Sequence, residues 1–474
     1  MKTPARSIGY MTLALMTVAA MFSLSGLTSN AEYGFSSIFF YAVGAILFFI
    51  PTALVAASLA TGWSMGGVYV WVSQAFGQKF GFLAIWLQWI QSLALYMTIL
   101  SFAAATVAFV VDPALANNQF FILGSILVIF WGSTILNFLG MKLSSRISSM
   151  GALFGTLLPG ALLITLSLLF IFQGNQSETS LSLDALVPDI TDLNNIALAL
   201  GGIVLFAGIE MTASHIREVK NPTVNYPKAI FTAAFIALIC FVLGSLAIAI
   251  VIPQDKISLV SGVMEAFSAL FDSYNVPWLL PIVMLFIIGG VLAQVNTWIA
   301  GPSKGILNAA KHGCLPPFMQ KTNEHGTPTI ILILQGIIVT IFGLVFVFVP
   351  DVSASFWILM ALTAQLYMIM YVLMFASAIK LHYSQPDVKP SFRIPFGTAG
   401  LWLVAGIGLI TSIVIIVVGF IPPGQEKADT TFYELFLVSG IVIVVAIPII
   451  INCLKKKSWV AKPMPVLKGK KRKK

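Results

Sequence analysis

The feature that most limits how this chain can fold is a succession of apolar runs, each close to the length that crosses a bilayer. They fall at about 8–29, 35–60, 80–110, 119–139, 150–172, 195–218, 228–251, 279–306, 328–349, 354–379, 398–420 and 431–453. A helix needs roughly 20 apolar residues to cross a hydrocarbon core about 30 Å thick. Composition agrees, with 58% hydrophobic and only 9% charged residues. Lipid offers peptide groups no partner, so spans of this kind must be helices. The sequence predicts an all-α integral membrane protein with 12 transmembrane helices.

Charge placement orients the runs. Placing both termini in the cytoplasm puts 24 of the 26 Lys and Arg on the inner side. Only Lys256 and Lys427 fall outside, whereas Glu178, Asp184, Asp189 and Asp192 gather in one outer loop without a basic residue. Inner loops of membrane proteins are enriched in Lys and Arg, so this split supports the count as well as the orientation. The net charge of +9 therefore reflects membrane topology and is no sign of nucleic-acid binding. Residues 1–454 form the predicted transmembrane domain, and 455–474 a basic cytoplasmic tail attracted to anionic lipid and expected to lack structure. A multi-pass protein of the cell membrane, inner or plasma, follows. Cys240, Cys314 and Cys453 form no spaced set and read as free thiols.

Two runs contain weak points. Lys2 and Arg6 precede the first run, which could pass for a signal peptide. The small and polar segment from Phe22 to Ser29 suits a broken span better, so the run is expected to be retained. In the sixth, LGGIVLFAGIEMTASHIREVKNPTVNYP (Leu200 to Pro227) meets Ala207-Gly208 and then carries Glu210 at membrane depth. It leaves through Arg217, Glu218 and Lys220 toward two prolines that should stop it. An intramembrane acid costs several kcal/mol unless offset and marks a candidate functional site. A glycine break beside it would free backbone groups for a ligand. Each broken run is followed by four intact ones. This suggests two halves of opposite orientation, about 8–172 and 195–379, with extra helices at about 398–453.

Thr61 to Gly81 is glycine-rich and carries Trp63, Tyr69 and Trp71, either as a re-entrant connection or as an aromatic belt at the headgroups. Trp86, Trp89 and Trp357 read as packing residues, and Lys304 as a loop-facing or snorkelling lysine. Nothing points to an enzyme. His215, His312, His325 and His382 have no metal-ligand spacing, and there is no phosphate-binding glycine loop. No cofactor is expected.

Four stretches carry a family resemblance: GFSSIFFYAVGAILFFIP (Gly34 to Pro51), GGVYVWVSQAFG (Gly66 to Gly77), GIEMTASHIREVKNPTVNYP (Gly208 to Pro227) and WIAGPSKG (Trp298 to Gly305). With them the chain resembles the amino acid–polyamine–organocation transporters, most closely the bacterial glutamate/γ-aminobutyrate antiporter family. The resemblance implies a 5+5 inverted-repeat, LeuT-like core with broken helices one and six and two extra C-terminal helices. It places a substrate site between the breaks, walled by spans three, eight and ten. By position it assigns substrate binding to Ser23, Ser25, Gly26, Ala207, Gly208, Ile209, Asn296 and Trp298, and gating or pH response to Glu210. His215, five residues on, is a candidate pH sensor by its residue type alone, with a cytoplasmic-end histidine bonded to a loop as the alternative. The implied activity is exchange of an amino acid for another or for its decarboxylated amine.

The chain also departs from that pattern. Its first break is small and neutral where the glutamate antiporters carry tyrosines and an acid. Its tail is shorter and more basic than their cytoplasmic plug, and Ser148 and Ser149 stand where some proton-coupled permeases have a lysine. Proton-coupled uptake is therefore the alternative mechanism, and a transporter-like sensor or channel the alternative class. A monomer and a homodimer both stay open. The orientation is testable. A cysteine introduced at Ser180, in a background lacking native cysteines, should react with an impermeant reagent in intact cells. Labelling only after permeabilisation would reverse the topology.

Overall fold

The computed structural model describes residues 8–63, 67–188, 202–348, 352–421 and 430–460. Among the described residues, ten helices are long and apolar enough to cross a membrane. Two short helices, α1 (Tyr10–Met21) and α2 (Ser25–Ala31), together make an eleventh candidate bent by 53°. Next come α3 (Gly34–Gly62), the short α4 (Val68–Phe76), α5 (Gln78–Val111), α6 (Gln119–Phe138) and α7 (Ser144–Phe172). After the stretch 202–218 follow α8 (Pro222–Val251), the shorter α9 (Gly262–Ser273) and α10 (Pro277–Lys311). The chain ends with α11 (Thr329–Phe348), α12 (Ser355–Ser384), α13 (Gly397–Val418) and α14 (Thr431–Cys453). The multi-pass, all-helical membrane architecture is thus as the hydropathy predicted.

Burial ranks the helices. In the most apolar windows of α5 and α12, 72% of residues are buried, against 17% in α14. The first two therefore form the centre, and α14 turns its apolar residues outward, where lipid replaces a protein partner. Small residues set the closest contact, as they do where helices meet without a hydrophobic drive between them. Gly155 of α7 lies directly against Gly290 of α10, within the π-helical turn Ala152–Leu157 that widens α7 at that point.

The 202–218 stretch is not a continuous helix. Short turns such as Ala207 N–H to Val204 O (2.9 Å) lead to Gly208, whose φ of +110° ends the helical path. A 3₁₀ helix, Met211–Glu218, then carries the chain onward. A Cβ on Gly208 would meet Trp298 at 3.2 Å and the Ala20 carbonyl oxygen at 3.4 Å, so both conformation and space demand glycine. The expected proline stop is corrected: Pro222 begins α8 and Pro227 lies inside it. A proline in the first turn loses no intrahelical bond. The Thr223 carbonyl, which Pro227 cannot serve, instead accepts from the Ser391 hydroxyl at 3.0 Å.

Both ends of the described chain gather at one face. Ile8 forms a parallel bridge with Val219, while Glu218 pairs with Lys304 near the end of α10. Just beyond α10, Gly313 packs against Val460. The expectation that the tail lacks structure is corrected for 455–460. There Gln320 donates to the Trp459 carbonyl (2.6 Å) and Lys455 to Gln78 (2.7 Å); 461–474 lie outside the described residues. The aromatic-belt alternative also fails, because Tyr69 and Trp71 on α4 are buried in protein. The Trp71 ring N–H donates to the Trp63 carbonyl at 3.2 Å. Residues 64–66 of that connection, Asp189, Asp192 and Lys427 lie outside the described residues.

Packing at the glycine contact can be checked. Gly155→Val would drive a side chain into the Gly290 backbone, and overpacking of this kind costs about 1–3 kcal/mol. The purified variant should melt at a lower temperature in detergent. Gly124→Val, at a position with open space around its Cβ, should melt like the wild type.

Candidate functional site

The two breaks come together in the middle of the bundle. A Cβ on Gly26 would lie 3.0 Å from Leu205, so the first break touches the second directly. Between them and the wall helices is a cavity of about 80 Å³. An ordered water takes roughly 10–15 Å³ by this measure, so the space suits several waters or one compact ligand. Ser23, Ser25, Gly26 and Ala207 line it from the breaks. Gln91 and Thr98 face it from α5, Gln294 and Trp298 from α10, and Thr363 and Tyr367 from α12. Among the described residues, no Asp, Glu, Lys or Arg is in the lining.

Each wall residue has a local reason to be there. Gln91, Leu95 and Thr98 recur at helical spacing on one face of α5, as do Gln294 and Trp298 on α10. The Trp298 indole N–H donates to the Ala20 carbonyl at 2.8 Å, which ties α10 to the last turn of α1 just before the break. The hydroxyls of Ser23 and Ser25 hydrogen-bond each other at 2.7 Å. That pair bridges the corner where α1 ends and α2 begins.

Glu210 is buried behind this cavity and absent from its lining. Its carboxylate accepts from the Gln88 side-chain amide (2.8 Å), the Tyr367 hydroxyl (2.6 Å) and the Tyr371 hydroxyl. The Tyr371 oxygen in turn accepts from the Gly208 backbone N–H at 2.8 Å. One tyrosine thus holds both the acid and the peptide group freed by the break. Charge-assisted bonds of this kind contribute more than neutral ones, so the set answers the cost of placing an acid here.

The sequence-predicted residues divide accordingly. Ser23, Ser25, Gly26, Ala207 and Trp298 meet at the cavity, while Gly208, Ile209 and Glu210 lie just behind it. Asn296 is elsewhere and saturated. Its amide donates to Ser144 (2.8 Å) and Ser148 (3.1 Å), and its oxygen accepts from Asn137 (2.8 Å). His215 is also outside the cavity, buried 3.6 Å from Glu218 and 3.4 Å from Lys304. Lys304 is half-buried there and pairs with the half-buried Glu218. Sequence reasoning missed Gln88, Gln91, Gln294, Tyr367 and Tyr371. Their signal was available: amides within apolar runs, and two tyrosines four residues apart on one helical face.

An all-helical membrane protein whose cavity sits between two discontinuous segments has the build of a secondary transporter. The amino acid permease family model matches residues 8–447, and the chain belongs to that family. It is a membrane transporter and not an enzyme. An uncharacterised transporter of Legionella pneumophila is 44% identical over 92% of this chain and 94% of its own length. A glutamate/gamma-aminobutyrate antiporter of Lactococcus lactis is 34% identical over 89% of this chain and 85% of its own. A probable agmatine/putrescine antiporter of the same species is 22% identical over 92% and 93%.

The Tyr371 link predicts how the site fails. Tyr371→Phe removes a donor to Glu210 and an acceptor for Gly208 N–H, at a cost of about 1.5–3 kcal/mol. It should lower the melting temperature and slow transport together. Glu210→Gln should fold and retain substrate binding while flattening the pH dependence of transport. A wild-type pH profile in purified Glu210→Gln would make this acid purely structural.

Proposed function

We propose that the protein is a secondary active antiporter that exchanges an amino acid for another, or for its decarboxylated amine, by alternating access. Twelve spans, a 5+5 inverted repeat with two extra helices, and cytoplasmic termini in the inner or plasma membrane complete this reading. The carrying observation is the charge-free cavity built jointly by both breaks, of a size for one small ligand. Backbone and hydroxyl groups at the breaks suit the amino and carboxylate groups that all α-amino acids share. The relatives' names supply the exchange mode and the pairing of amino acid with amine.

Alternating access needs an end that closes and opens. The face that carries both ends of the described chain is closed by Ile8 N–H to Glu218 O (3.0 Å), Lys220 N–H to Ile8 O (2.9 Å) and the Lys304–Glu218 pair. These contacts join the residues just before α1, the end of the 211–218 helix and α10, while α1, α10 and the break that precedes the 211–218 helix line the cavity. A substrate that binds the open and closed forms differently can therefore shift the balance between them.

The test is counterflow. Proteoliposomes loaded with unlabelled amino acid should accumulate labelled amino acid, and empty ones should not. A sodium gradient should make no difference, since the hydroxyls at the first break have no acid beside them. Sodium-driven uptake into empty vesicles, or no exchange of any amino acid or amine, would overturn the proposal.

A further inference from the structure

Resting on the exchange reading above, we infer that the cavity selects a net-neutral α-amino acid whose side chain carries an uncharged N–H or O–H donor, read by the Gln91 amide oxygen. The Gln91 amide N–H₂ donates to the Gln88 carbonyl at 3.1 Å, which fixes the amide so that its oxygen is the free end. That oxygen is fully buried and has no partner among the described residues, although Gln91 lines the cavity. A buried acceptor without a donor is costly, and a ligand that supplies the donor removes the cost.

The neighbouring groups point the same way. Thr98 spends its hydroxyl hydrogen on the Leu95 carbonyl (2.9 Å) and Thr363 on the Leu359 carbonyl (2.9 Å). Tyr367 spends its own on Glu210 at 2.6 Å. Each of the three therefore offers the cavity lone pairs and no hydrogen. The Trp298 N–H is likewise committed to Ala20. Free donors are left at Gln294, at the buried and unpartnered Ser29 hydroxyl, and in the Ser23–Ser25 pair, which has one hydrogen beyond the bond it makes. Donors thus cluster at the first break, where a carboxylate fits, while α5 and α12 present acceptors.

Charge narrows the class further. A side-chain carboxylate would bring a negative charge and no donor to a wall of acceptors, with no Lys or Arg in the lining. A side-chain ammonium would find no carboxylate there, because Glu210 lies behind the wall with its oxygens taken by Gln88, Tyr367 and Tyr371. An amide or hydroxyl side chain matches the acceptors without carrying a charge into the protein interior.

The experiment is a competition panel on the full-length protein in proteoliposomes, with labelled L-glutamine in counterflow and unlabelled L-glutamine, L-glutamate and γ-aminobutyrate as competitors. L-glutamine should compete about tenfold to a hundredfold better than either of the others, the range expected for one satisfied buried acceptor. Gln91→Leu should abolish that advantage. Gln91→Glu, which keeps an acceptor and adds a charge, should let L-ornithine, added to the panel for this variant, compete better than L-glutamine. Monodisperse elution in detergent verifies that each variant is folded, and melting-temperature shifts with the same amino acids provide a readout independent of transport. If L-glutamate or γ-aminobutyrate competes as well as L-glutamine in the wild type, or if Gln91→Leu keeps the wild-type order, the inference is wrong and the exchange reading survives. If L-glutamine supports no counterflow, the inference is wrong, and the exchange reading falls with it only when no other amino acid or amine is exchanged.

Discussion

Breaking a helix inside a membrane is possible only if its freed peptide groups find partners, and the Tyr371 hydroxyl is the partner on which this site depends. Hydrocarbon supplies no hydrogen bonds, so an unpaired N–H at Gly208 would cost several kcal/mol. The tyrosine oxygen accepts that N–H and passes its own hydrogen to Glu210. Break and acid are therefore one construction. Gly208 needs a positive φ to turn the chain, the turn exposes its N–H, the tyrosine covers it, and the carboxylate gives the tyrosine hydrogen a destination.

The neutrality of the cavity follows from that arrangement. Glu210 is withdrawn behind Tyr367 and surrounded by three donors. Because the Tyr367 hydroxyl gives its hydrogen to the carboxylate, its lone pairs are what it offers the cavity. A buried acid thus sets the polarity of a wall group without entering the cavity itself. The same logic applies to Trp298, whose N–H anchors α10 to Ala20 beside the first break and is unavailable to a ligand.

The architecture was legible because apolar runs and loop charges are properties of the sequence itself. The break at Ala207-Gly208 was equally legible, since glycine beside an intramembrane acid has few other uses. What could not be read was direction. Asn296 sits two residues before Trp298, and this spacing turns their side chains to different faces of α10. One therefore reaches the cavity and the other the serines of α7. Lys304 looked like a surface lysine because its partner, Glu218, is 86 residues away in sequence. The prolines misled for a different reason: Pro227 is tolerated within α8 only because Ser391, far along the chain, serves the carbonyl it leaves free.

The placement of His215 joins these observations. It is buried against Glu218 and Lys304, on the same 3₁₀ helix that follows the break and at the face where Ile8 pairs with Val219. A 3₁₀ helix bonds each residue to one three positions on, so His215 and Glu218 eclipse each other and share one partner in Lys304. In an ordinary α-helix, residues three apart would splay by about 60°. The tighter winding after Gly208 is therefore what gathers the three side chains, and it belongs to the same departure from α-helical geometry that opens the cavity. Site and closing contacts are two consequences of one backbone irregularity, so a movement that rewinds the stretch must disturb both together.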